Sequence, residues 1–155
     1  DTKWVDDNLN LLRTYYGKAA YFTEIFPQVA AIYHAGYRYM IDFNCAVLNL
    51  AMEYFDITIP ISRASEYSIY SASTARLLAL VQAKQGDIYL TGTGSLDYLD
   101  EEMFTTVGVQ VKWQDFKHPV YPQLHGDFVP MLSCLDVLFN CGRNAAAVLR
   151  STLNG

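Results

Sequence analysis

The amino-acid sequence predicts an α/β protein: a small, mainly parallel sheet of about three strands flanked by helices, with a helical amino-terminal region. Three observations carry this expectation. Apolar residues recur at helical spacing over roughly the first third of the chain. From residue 57 onward, short β-rich runs alternate with helical ones in the order strand, helix, strand, helix, strand. That order requires parallel strands joined by right-handed crossovers. The composition is globular, with 52% apolar and 17% charged residues in a chain of 155. A chain of this length reads as one domain, 1–155, with a helical region over 1–56 and an α/β region over 57–155. It begins with Asp1 rather than Met and reads as the carboxyl-terminal part of a longer protein.

Residues 4–16 are expected to form a helix with Trp4, Leu9, Leu12 and Tyr16 near one face, ended by Gly17. A second helical piece over 19–26 is interrupted at Pro27, and a third spans 27–35, with Pro27 in its first turn. Gly36 breaks it. The longest helix, about 37–55, carries Met40, Ile41, Val47, Leu48, Ala51, Tyr54 and Phe55 on a broad apolar stripe. The first strand is ITIPISR, 57–63, followed by a polar loop over 64–73 and a helix over 74–85 closed by Gly86. The second strand is 87–92. After TGTGS comes a helix over 97–106, closed by Gly108, and then the third strand, 109–116. A loop rich in Pro, His and Tyr leads to a final apolar helix that stops at Gly142.

Parallel strands send all three following loops to one carboxyl edge, where open α/β sheets bind ligands. The first loop offers Ser62, Arg63, Ser65 and Ser68, and the second offers Thr91, Gly92, Thr93, Gly94 and Ser95. The third holds His118, Tyr121, Gln123, His125 and Asp127, stiffened by Pro119, Pro122 and Pro130. The Gly-rich turn suits an anion cradle or a plain tight turn with Ser95 or Asp97 as helix cap. Asp97, Asp100, Glu101 and Glu102 already complement the dipole of the following helix, which argues against a highly charged phosphate. His118 and His125 read either as a general acid/base pair or as braces bonded to backbone carbonyls. Tyr121 and Gln123 either orient a polar ligand or bridge the loop to the sheet. Arg63 is the natural partner for a carboxylate or phosphate, or else pairs with Glu66 at the surface.

Ser133 with Asp136 has capping-box spacing, Asp replacing the usual Glu, so Ser133 is expected to cap the last helix rather than act as a nucleophile. Cys134 and Cys141 read as core thiols, and with Cys45 they make an odd set without CxxC spacing. Reduced cysteines, with no signal peptide and no apolar run of membrane length, place the protein in the cytoplasm. A net charge of −5 and no basic stripe argue against nucleic acid as partner. No metal site is expected, since no familiar ligand spacing occurs. The sequence names no cofactor and leaves an oligomer or partner protein open. A small polar molecule is the expected ligand.

GDIYLTGTGSLDYLD (86–100), FTTVGVQV (104–111) and above all QDFKHPVYPQLHGDFVPMLSCLDVLFNCG (114–142) resemble the WbqC-like family. The similarity extends more weakly through ITIPISRASEYS (57–68) to WVDDNLNLLRTYYG (4–17). It covers essentially the whole chain, as the carboxyl-terminal portion of such a protein, without the family's usual amino-terminal segment. The resemblance implies a transferase that moves a small acyl or aminoacyl group, such as glycyl, onto a sugar or other small acceptor. The setting it implies is O-antigen or other bacterial surface-polysaccharide biosynthesis. For such a reaction His118 or His125 would serve as base, and Arg63 or the Gly92–Ser95 backbone would stabilise the oxyanion. Two further readings stand beside it: a non-catalytic small-molecule-binding or scaffold domain, or the structural half of an enzyme whose chemistry lies in the missing amino-terminal part.

Overall fold

The computed structural model describes residues 3–152. In chain order the elements are helices α1 (Lys3–Tyr16), α2 (Phe22–His34), α3 (Met40–Tyr54) and α4 (Ser73–Ala83), strand β1 (Ile88–Gly92), helix α5 (Glu101–Thr105), strand β2 (Gln110–Gln114), and helices α6 (Cys134–Cys141) and α7 (Ala145–Arg150). The chain forms two compact units. One holds the chain up to Ile59 together with the part from Lys117 onward, and the other runs from Pro60 to Phe116.

The first unit is helical. Its core gathers Phe22, Ile25 and Val29 of α2, Leu50 and Tyr54 of α3, and Val137, Leu138 and Phe139 of α6. Phe139 is fully buried, with ring centroids 5.2 Å from both Tyr16 and Phe22. Tyr54 accepts a hydrogen bond from Gln28 Nε2 at 2.7 Å and donates to Glu24 Oε1 at 3.3 Å, which ties α3 to α2.

The second unit is α/β. Its sheet has two strands, β1 and β2, paired in parallel from Ile88↔Gln110 to Gly92↔Gln114. Phe104 of α5 is fully buried and stacks on Tyr89 at 5.0 Å, above Leu78 and Val109. Burial of this one ring holds the crossover helix onto the sheet.

Four local expectations change. Pro27 does not break the second helix, which runs through it. Phe22, Ile25 and Val29 share one buried face, while Thr23 and Pro27 are exposed, so the Thr23 carbonyl that a proline cannot bond lies on the exposed side of the helix. Residues 57–63 form no strand. Pro60 lacks an N–H for a ladder, and Ile59 and Ile61 are exposed rather than paired. The helix expected over 97–106 shrinks to Glu101–Thr105. Asp100 caps it, accepting from the N–H groups of Glu102 and Met103, so neither Ser95 nor Asp97 is the cap. The short helix α7 lacked a periodic pattern long enough to read. Where expected, α1 stops at Gly17 and α6 starts at Ser133, whose Oγ accepts from the Leu135 N–H at 3.3 Å.

Gly142 ends α6 at φ 55°, and its N–H bonds the Leu138 carbonyl. A Cβ at this position would overlap the Tyr21 ring. Gly142→Ala is therefore expected to cost roughly 2 kcal/mol or more, from left-handed strain plus overpacking. Gly36→Ala is the control: Gly36 has φ 66° but nothing within 4 Å of the added carbon, so strain alone, about 1 kcal/mol, is expected. Urea denaturation of the two variants checks the difference.

Candidate functional site

The 117–133 loop is organised from below by Asp136. This residue sits in the first turn of α6, where an acidic side chain complements the helix dipole, and it is only 3% exposed. It does not complete a capping box. Its side chain turns inward, and Tyr121 Oη and Gln123 Nε2 donate to Oδ2 at 2.8 and 2.9 Å. Asn140 Nδ2, one turn on, donates to the Asp136 carbonyl at 2.8 Å and to Oδ1 at 3.4 Å. Tyr16 of α1 leans on the same carboxylate, and burial together with Asp136 pushes its phenol up to about 12. Tyr121 is raised as well, by burial first and then by its bond to Asp136. Cys141 is raised by burial and by the nearby carboxylate.

Gln123 also fixes the loop to itself. Its Nε2 donates to the Val129 carbonyl at 3.0 Å, and its Oε1 accepts the Val129 N–H at 2.8 Å. One side-chain amide thus takes both backbone groups of Val129, as a paired strand would. Tyr121 packs edge-on to Phe128 at 5.3 Å, and the half-buried His118 ring lies 5.7 Å from Phe128.

The two histidines are oriented by carbonyls. His125 Nε2 lies 2.8 Å from the Tyr15 carbonyl, and His118 Nδ1 lies 3.0 Å from the Pro119 carbonyl. A carbonyl can only accept, so each of these nitrogens carries its proton. Neutral His125 then presents Nδ1 as its acceptor. The Tyr15 carbonyl is free for this role because it belongs to the last turn of α1, whose carbonyls have no partner within the helix.

A cleft of about 260 Å³ lies between α1 and this loop. Tyr15, Tyr16, Gln123, His125 and Asp136 supply its polar lining, and Leu124, Val129 and Leu132 its apolar wall. A larger hollow of about 620 Å³, lined by aromatic residues including Trp4, Tyr33, Tyr37 and Phe43, lies where α1, the end of α2 and the start of α3 meet.

The other expected site residues belong to the Pro60–Phe116 unit. Thr91 Oγ1 donates to Ser95 Oγ at 3.2 Å, and Ser95 Oγ is 2.9 Å from Tyr98 Oη, giving a short chain of hydroxyls. Thr93, Gly94 and Ser95 form a single 3-10 turn, and Gly92 and Gly94 are exposed. No helix begins at this turn, because α5 starts at Glu101, so the backbone amides lack the helix terminus that an anion cradle would use. The half-buried Arg63 immediately precedes a 3-10 turn that includes exposed Ser65. Parallel pairing puts the 93–95 turn and the exit of β2 at one sheet edge, but without a strand at 57–63 the Arg63 loop is not set there by strand direction. The expected residues thus separate into two groups: His118, Tyr121, Gln123 and His125 in the helical unit, and Arg63, Ser65, Thr91, Gly92, Thr93, Gly94 and Ser95 in the α/β unit.

Asp136, Tyr15 and Tyr16 were not expected in a site. The available signal was a lone carboxylate inside an apolar run, Leu135 to Phe139, since an acid there must be buried with partners.

Comparison with known proteins matches the WbqC-like protein family over residues 1–148, nearly the whole chain. The chain belongs to the WbqC-like family. It is 32% identical over 154 residues to an uncharacterized protein, Rv1507c, of Mycobacterium tuberculosis. That alignment covers 96% of this chain and 65% of the relative's length. No solved structure matches it. Among the described residues of this WbqC-like chain, no helix is long and apolar enough to cross a membrane.

The raised phenols give an alkaline signature. Their protonated forms are favoured by folding, so the stability they contribute is complete below the ordinary tyrosine value of about 10 and is lost as pH rises toward the folded value near 12 for Tyr16. Urea midpoints measured from about pH 9 to 11 are expected to fall in the wild type and to fall less in Tyr16→Phe.

Proposed function

We propose that this chain is a transferase that moves a small acyl or aminoacyl group onto a sugar or other small acceptor, in bacterial surface-polysaccharide or related biosynthesis. Its setting is the cytoplasm, which suits the three free cysteines. The observation that carries this reading is His125 at the lining of the cleft, with Nε2–H held on the Tyr15 carbonyl and Nδ1 left to accept a proton. In that role Nδ1 takes the proton of the acceptor's hydroxyl or amine as it attacks the acyl carbon, and the imidazolium returns it to the leaving group. Gln123 lines the cleft and contacts the substrate, while Tyr121 holds Asp136 in place. His118 has a secondary part, supporting the loop beside Phe128. In the α/β unit, Arg63, Ser65 and the segment from Thr91 to Ser95, with Gly92, Thr93 and Gly94, offer a guanidinium, hydroxyls and open backbone to a polar ligand.

A second reading, a non-catalytic binding domain, is favoured by the way Tyr121, Gln123 and both histidines bond groups of the fold itself. Mass spectrometry of mixtures containing activated acyl or aminoacyl donors and sugar acceptors separates the two. His125→Ala is expected to lower turnover by ~10²-fold or more with little change in melting temperature, and His118→Ala to lower it less. Full product formation by both variants would remove the imidazole from the mechanism. Saturable ligand binding with no product from the wild type would favour the second reading.

A further inference from the structure

Asp136 is satisfied for hydrogen bonds but not for charge. Its donors are the Tyr121 hydroxyl and the Gln123 and Asn140 amides, all neutral, and the Tyr16 phenol beside it is neutral too. Among the described residues no ion pair includes Asp136. A carboxylate that is 3% exposed and has no counter-ion leaves a negative field in its surroundings. The cleft receives that field. Asp136 is part of its lining, and no lysine or arginine is. Of the carboxylate oxygens, Oδ2 takes two short bonds, while the Asn140 bond to Oδ1, at 3.4 Å, is weak enough for a better donor to displace. The volume of about 260 Å³ limits the occupant to the scale of an amino acid or a monosaccharide. A carboxylate ligand would meet like charge. A neutral one would gain little from the field, whereas an ammonium supplies the absent charge and up to three donors.

From this geometry the cleft is assigned a substrate class: we infer that it binds a small ligand through a primary ammonium group, with the Asp136 carboxylate as counter-charge. The inference rests on the site proposed above and narrows what that site accepts. The ammonium could belong to an aminoacyl group or to an amino-sugar acceptor, and the two sources separate on titration.

The test is NMR titration of the wild-type chain with glycinamide and with glucosamine, against acetamide and N-acetylglucosamine as uncharged counterparts. At least one amine is expected to saturate in the millimolar range and to shift the Tyr16, Gln123 and Val129 amides, with its uncharged counterpart about tenfold weaker or more. Asp136→Asn keeps the shape of the side chain and is expected to lose the same factor. Should Asp136→Asn fail to fold, Leu124→Trp fills the cleft with the carboxylate left in place and is expected to abolish the shifts. Equal binding of amine and uncharged ligand, undiminished amine binding in Asp136→Asn or Leu124→Trp, or no saturation by either amine would overturn the inference. A response to glycinamide alone assigns the aminoacyl side, and a response to glucosamine alone the acceptor side. Amine binding without turnover refutes the transferase and leaves the ammonium site standing. Turnover of substrates that carry no amine refutes the ammonium site and leaves the transferase.

Discussion

A buried carboxylate without a counter-ion is the constraint on which the helical unit depends. Taking Asp136 out of water costs several kcal/mol even after relaxation. The cost is offset by donors from two separate stretches, Tyr121 and Gln123 in the long loop and Asn140 one turn further along α6, while the neutral Tyr16 phenol at the end of α1 lies beside the carboxylate. Each donor fixes the backbone that carries it. The loop therefore has little freedom between Tyr121 and Val129, although it holds no regular element. Ser133 contributes indirectly, because its cap starts α6 where Asp136 falls in the first turn and faces inward.

The aromatic layer beneath explains why this arrangement can be rigid. Phe139 packs against both Tyr16 and Phe22, so the helix that carries Asp136 is fixed against α1 and α2. The Tyr21 N–H donates to the Phe139 carbonyl at 2.9 Å, and Gly142 turns the chain tightly against the Tyr21 ring. These contacts hold the start of α2, and the packing of Tyr16 on Phe139 holds the end of α1 and with it the Tyr15 carbonyl that orients His125. Packing energy in the core thus becomes orientation of an imidazole at the cleft.

Features that depend on near neighbours were legible in the sequence, and those that depend on distant ones were not. Gly17 stops α1 and Ser133 caps α6 by local hydrogen bonding, and both read correctly. The parallel relation of β1 and β2 followed from the helix between them. Whether 57–63 becomes a strand depends on a partner edge, and Pro60 makes it a poor one, so β propensity alone misled there. Pro27 misled in the opposite direction, since the burial of Phe22, Ile25 and Val29 outweighs one lost bond. In the site, the polar loop was evident from its composition. The bond from His125 to Tyr15 joins residues 110 positions apart, and no local spacing could reveal it. Asp136 was visible but read as half of a capping box, because its true partners come from the loop and from α1.

The loop residues Tyr121 and Gln123 hydrogen-bond groups of the fold itself, and this affects how the cleft would work. Tyr121 is buried, and its hydroxyl is committed to Asp136. Gln123 spends its amide on Asp136 and Val129 while still lining the cleft. What they support is a carboxylate already stripped of water in the folded chain. A ligand that supplies positive charge need not desolvate it again, and only the ligand's own hydration is lost on entry. The same polar groups placed on a mobile surface loop would have to be desolvated and ordered at each encounter. Here folding has already done both, so the proposed ammonium ligand would need little apolar area to be held.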